Sequence, residues 1–228
     1  MSRRLPQPPE ACQSCRGPCC VGRVVYLNSL DVYRIASTIG LDWSDFAFAH
    51  PAVDSGFLVD NELGRITHRV RLRHAYGGTC LLAVSTPEGT LRCGIATLKP
   101  SACRIYPYNV QLFAHQPYQV AIGNDAACPS FGVRWYQQSV DALGDEVDLA
   151  VADAALATQV EARWNELVES STSAFAVTDH FRWAWEVYRH IGLPPAGPAD
   201  ERAAWQLAAY RSVRELDLSL LPPSTEAA

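Results

Sequence analysis

The segment "CQSCRGPCC", Cys12 to Cys20, places four thiols within nine residues, the last two adjacent. Oxidation to disulfides, nucleophilic reactivity and metal ligation each demand a different setting for such a cluster. The other cysteines supply that setting. The chain has eight, Cys12, Cys15, Cys19, Cys20, Cys80, Cys93, Cys103 and Cys128, and none in its last hundred residues. Thiols serving only as small apolar side chains would have no reason to avoid that long stretch. The clustering marks a site.

A disulfide framework needs an oxidising compartment and is most useful to domains too small to build a core. At 228 residues the chain is long enough to bury a sizeable core. A thioredoxin-like redox pair would match Cys12-Gln-Ser-Cys15, but such pairs open a helix after a strand in a βαβ unit. No such unit flanks Cys12. A hydrolytic cysteine requires a histidine partner, and the six histidines (50, 68, 74, 115, 180, 190) form no recognisable motif. His74 and His115 are the two that lie among the cysteines. Metal ligation explains more of the pattern. A CxxC turn points two thiolates at one ion, and Gly17-Pro18 bends the chain back toward it. Four thiolates complete a zinc site or hold a four-iron cluster. Side chains of adjacent residues diverge, so Cys19 and Cys20 suit two centres better than one.

The charge pattern agrees. A four-thiolate zinc site or oxidised four-iron cluster carries about −2. Arg92 and Arg104, each beside a cysteine, are candidates to offset that charge and donate hydrogen bonds to sulfur. Arg16 also adjoins a cysteine, and Arg23 and Lys99 lie close by. The whole chain, with net charge −5 and scattered arginines, is unlike a general nucleic-acid binder. Nor does any apolar run reach the roughly 18–20 residues that cross a bilayer. The paired arginines of "MSRRLPQPPEA" lack the apolar stretch of an export signal. Together these predict a cytoplasmic protein without membrane or nucleic-acid partners.

The elements divide by composition. "SLDVYRIASTIG" reads as a short helix with Ser29 as N-cap, Asp31 in the first turn and Gly40 as the stop. A second short helix is expected over Trp43 to Ala49. Residues 57–122 look mostly β, in "RITHRVRLRH", "CLLAV", "TLRC", "NVQLFAH" and "YQVAIG", with "TPEG" as a hairpin turn. "GIATLKPSACRIYP" reads as a turn or helical turn. Beyond about Arg134, Val147, Val151, Ala154, Ala157, Val160, Trp164 and Leu167 recur at helical steps. Two further helices follow, Thr178 to Ile191 and from near Asp200 to about Leu216, whose aromatic residues suit core packing. The expected class is α+β: a small irregular β-containing cysteine-cluster part, residues 1–130, then a helical part, residues 131–228.

"CQSCRGPCC", the lone Cys80 in "GTCLL", and "RCGIATLKPSACRIYPY" resemble the YkgJ-type cysteine-cluster proteins, a zinc- or iron-chelating family. The family's first motif is CxxCxxCC; here it has one more residue. In the second block Cys93, Ile95, Pro100, Cys103, Arg104 and Pro107 match, while Ala96, Lys99 and Tyr106 depart from its tyrosine, arginine and phenylalanine. Lysine cannot make arginine's planar bidentate contact. The likeness covers about residues 12–128 and implies a cytosolic bacterial protein. It also implies that Cys12, Cys15, Cys19, Cys20, Cys80, Cys93, Cys103 and Cys128 ligate iron–sulfur clusters, 4Fe-4S among them, or zinc. Flagellin lysine methylases carry a related cluster, so the alternative is an enzyme. It would be a methyltransferase or tailoring oxidoreductase acting on a small-molecule or protein substrate. No glycine-rich cofactor loop or nucleophile motif accompanies that alternative.

Overall fold

The computed structural model describes residues 17, 20–53, 55–61, 63–95, 98–104, 106, 108–113, 116–122, 144–193 and 199–221. Eight strands are described: β1 (Tyr26–Leu27), β2 (Ala47–Pro51), β3 (Phe57–Asn61), β4 (Gly64–Leu72), β5 (Ala83–Ser85), β6 (Leu91–Cys93), β7 (Tyr108–Phe113) and β8 (Gln116–Ile122). The helices are α1 (Ser29–Ile39), α2 (Trp43–Phe46), α3 (Ser101–Arg104), α4 (Gly144–Ser170), α5 (Val177–Ile191) and α6 (Ala199–Glu215). Strands dominate the N-terminal part and helices the C-terminal part, and the protein is α+β. Hairpins β3–β4, β5–β6 and β7–β8 are antiparallel. Two compact units emerge: one of residues up to Tyr26 with Leu72–Val151, the other of Leu27–Arg71 with Ala152 onward.

The second unit holds most of the described core. Its β3–β4 hairpin pairs Phe57 with His68 and Asn61 with Gly64. Side chains of α4 satisfy the backbone of β3. The Leu58 N–H donates to Asn165 Oδ1 at 2.7 Å, and Trp164 Nε1 donates to the Leu58 carbonyl at 2.7 Å. Such substitutes for a neighbouring strand keep an edge from templating aggregation. Around them Phe57, Leu156, Val160, Trp164, Phe181, Trp183 and Tyr188 are buried; Phe181 and Tyr188 point inward as expected of Thr178 to Ile191, but Trp183 and not the expected Trp185, which is half-buried, joins them.

Local chemistry corrects several expectations. The N-cap of α1 is Asn28, not Ser29: Asn28 Oδ1 accepts from the Asp31 N–H at 2.7 Å and Asp31 Oδ2 accepts from the Asn28 N–H, a capping box. Ser29 turns inward to share a 2.7 Å hydrogen bond with the buried Tyr188 hydroxyl. Gly40 ends α1 at φ 69°, as expected. The second helix stops at Phe46, and residues Ala47 to Ala49 belong to β2, where sheet pairing prevails over alanine's helix preference. On α4, Ala157, Val160 and Trp164 are buried as expected, but the line continues through Asp153 and Val168 rather than Ala154 and Leu167. Asp153 occupies a core position because Arg34 grips it with two hydrogen bonds, 2.5 and 2.9 Å. A hydrophobic pattern cannot see such a pair.

His180 lies at the centre of this core, fully buried, stacked on Phe57 with ring centroids 3.8 Å apart and with no hydrogen-bond partner for either nitrogen. Burial pushes its pKa down from 6.5 to about 3. Above pH 6.5 the imidazole is neutral in both states; as pH falls below that, only the unfolded chain takes up the proton, and stability drops. Burial also raises Glu161 to about 7, with the opposite slope, so comparison with a variant isolates the histidine. Urea unfolding at pH 7 and pH 5 should show wild type losing about 2 kcal/mol more than His180→Phe on acidification. Equal losses in the two proteins would show that His180 gains a proton partner in the folded state.

Candidate metal centre

The four described thiols, those of Cys20, Cys80, Cys93 and Cys103, are all half-buried, and no disulfide joins any two of them. They belong to the first unit. Sixty residues separate Cys20 from Cys80, yet backbone pairing makes them neighbours. The Cys80 N–H donates to the Cys20 carbonyl at 2.7 Å and the Gly22 N–H to the Gly78 carbonyl at 2.8 Å, around the antiparallel bridge Val21–Thr79. The other edge of the same short segment pairs with residues 73–75. There the Ala75 N–H donates to Thr79 at 2.7 Å and the Leu81 N–H to Arg73 at 3.1 Å, around the bridge His74–Cys80. Residues 79–81 are thus the middle strand of a three-stranded ribbon. Positive φ at Gly77 and Gly78, 81° and 78°, turns the chain between two of its strands.

Cys93 reaches this ribbon through the β5–β6 hairpin. The Ala83 N–H donates to the Cys80 carbonyl at 3.0 Å, and Ala83 lies opposite Cys93. The expected "TPEG" turn closes that hairpin, with the Thr86 N–H bonded to Thr90 at 2.8 Å and the Gly89 N–H to Thr86 at 2.9 Å. Gly17 lies against the same hairpin. It stands at φ 73°, and a Cβ there would fall 2.7 Å from the Leu91 carbonyl oxygen and 2.8 Å from Leu91 Cβ. Its own carbonyl accepts from the Cys20 N–H at 2.8 Å, which closes the bend expected at Gly17. One turn therefore touches both the strand that carries Cys93 and the ribbon that carries Cys80.

Cys103 lies in α3, the helical turn expected between the flanking prolines, with its N–H bonded to the Pro100 carbonyl at 2.8 Å. Arg104 closes that turn and donates to Ser101 Oγ at 3.2 Å. The Arg23 guanidinium stacks over the Tyr106 ring at 3.6 Å, a cation–π contact tying the segment after Cys20 to the Cys103 block. Arg92 sits on β6 opposite Val84, beside Cys93. Cys12, Cys15, Cys19, Cys128 and His115 lie outside the described residues. Among the described residues no three His, Cys, Asp or Glu side chains form a metal-holding group.

The donor type suits a soft metal: half-buried sulfurs with arginines near them in sequence, those of Cys20, Cys80 and Cys93 on segments joined by backbone hydrogen bonds. His74, one of the two histidines that lie among the cysteines in the sequence, is directly across the ribbon from Cys80. Only the strand register reveals it. Comparison of the chain with family models, curated proteins and solved structures gave no match. No helix among the described residues is long and apolar enough to cross a membrane.

Gly17→Ala should separate local strain from damage to the site. Alanine at positive φ costs about 1–2 kcal/mol wherever it occurs, and at residue 17 it must also displace the Leu91 backbone. Gly40→Ala provides the control, since it has the same φ sign with nothing within 4 Å of the added Cβ. Metal content and limited proteolysis should show Gly17→Ala losing metal and protection around residues 72–104, with Gly40→Ala retaining both. Equal metal content in the two variants would dissociate the Gly17 turn from the thiol site.

Proposed function

We propose that this protein is a thiolate-ligated metal protein of the cytoplasm, holding iron–sulfur or zinc centres on Cys12, Cys15, Cys19, Cys20, Cys80, Cys93, Cys103 and Cys128. The observation that carries the reading is the ribbon that bonds the Cys80 backbone to that of Cys20 and, through Ala83, approaches Cys93. Cysteines distant in sequence have no need of such backbone pairing for packing. Thiolates drawn to one cation do, because zinc–sulfur bonds of about 2.3 Å leave ligand sulfurs only about 4 Å apart. A bound centre would supply charge compensation and folding free energy. Arg92 and Arg104 are the side chains proposed to balance its negative charge. The likeness to the YkgJ-type proteins supports the same reading, and with it metal ions as partners.

Serine is nearly isosteric with cysteine but a far poorer ligand for a soft metal. Cys20→Ser and Cys80→Ser should therefore each remove the same fraction of bound metal, and the double variant no more than either. Cys19→Ser should remove a different fraction, because adjacent side chains diverge toward separate centres. Metal counting after anaerobic purification decides the point. Full metal content in both Cys20→Ser and Cys80→Ser would end the proposal.

A further inference from the structure

The hydrogen bonds flanking His74 and Cys80 define how their side chains stand. The Ala75 N–H bonds to Thr79 and the Leu81 N–H to Arg73, so the bonds run outside the His74–Cys80 pair and neither residue bonds the other's backbone. That is the non-hydrogen-bonded type of antiparallel pair. Its Cα atoms approach to about 4.5 Å and its side chains project on one face, closer than in any other sheet pairing. The imidazole and the Cys80 thiol are therefore cross-strand neighbours.

One ring nitrogen is also assigned a role by its hydrogen bond. His74 Nε2 lies 2.8 Å from the Arg23 carbonyl oxygen, which can only accept, so Nε2 carries the hydrogen. In the neutral ring Nδ1 then holds the lone pair, and no described residue bonds it. A neutral imidazole whose second nitrogen donates to a backbone carbonyl is the arrangement in which histidines ligate metals: the carbonyl orients the ring and raises its basicity.

Building on the metal reading above, we propose that His74 Nδ1 is a nitrogen ligand of the centre to which Cys80 contributes its thiolate. That centre would be a mixed nitrogen–sulfur site for zinc or iron. The carbonyl of Arg23 is its orienting partner. Arg23 is in turn held by Tyr106, so the ligand is positioned by the segments on either side of the cluster.

Glutamine separates ligation from structure, since its Nε2 can keep the bond to the Arg23 carbonyl while it offers no imidazole lone pair. The full chain, purified anaerobically with the metal it retains, is measured by X-ray absorption at that metal's edge and by chelator competition. Wild type should show imidazole scattering. His74→Gln should lose that signal and bind its metal at least about tenfold more weakly. His74→Cys should recover metal with sulfur-only scattering. Sulfur-only coordination in wild type, or unchanged metal affinity in His74→Gln, would overturn the assignment while leaving the thiolate reading intact. A wild-type protein without metal would overturn both.

Discussion

Two-sided backbone pairing of residues 79–81 is the constraint on which the cysteine-bearing unit rests. One edge brings Cys20 to Cys80, the other brings His74 to Cys80, and the following turn leads into the hairpin that carries Cys93. Few of the unit's described residues are buried and apolar. Among the described residues of that unit only Val25, Leu72, Ile95 and Ala150 are buried hydrophobics. Leu81, Val84 and Tyr76 stand exposed. Short two- and three-stranded pieces are marginal on their own in water. Under the proposed metal reading, a centre bound by these cysteines would add folding free energy to the unit.

The other unit reaches stability by ordinary means. Trp164, Trp183 and Tyr188 are fully buried, and the polar groups accompanying them are largely partnered: Tyr188 with Ser29, Asp153 with Arg34, the Trp164 indole with Leu58. Breaking the Arg34–Asp153 pair would remove two charge-assisted hydrogen bonds from a buried carboxylate. His180 is the exception, an unpartnered imidazole that the surrounding aromatic rings keep neutral. The contrast between the units is therefore one of energetics as well as of composition.

Much of this was legible in the amino-acid order. The hairpin turn at Thr86–Gly89, the helical turn at Ser101–Arg104 and the three long C-terminal helices follow from turn chemistry and 3.6-residue periodicity. Other features escaped for identifiable reasons. Asn28 and Ser29 are both good caps, and only the Asp31 side chain reaching back decides between them. Asp153 reads as polar surface until Arg34, 119 residues away, is seen to hold it. His74 stands out with His115 by lying among the cysteines, but its opposition to Cys80 depends on strand register, which no local pattern encodes. Thiol spacing, by contrast, suggests shared chemistry without any knowledge of register.

The central claim is that the clustered thiols bind metal. Its most direct test is anaerobic purification of the full chain, followed by elemental and acid-labile sulfide analysis and a visible spectrum. The account predicts either iron and sulfide with broad thiolate-to-iron absorption, or a colourless protein with stoichiometric zinc. A colourless, fully folded protein with neither metal, its thiols titrating as ordinary cysteines, would contradict it.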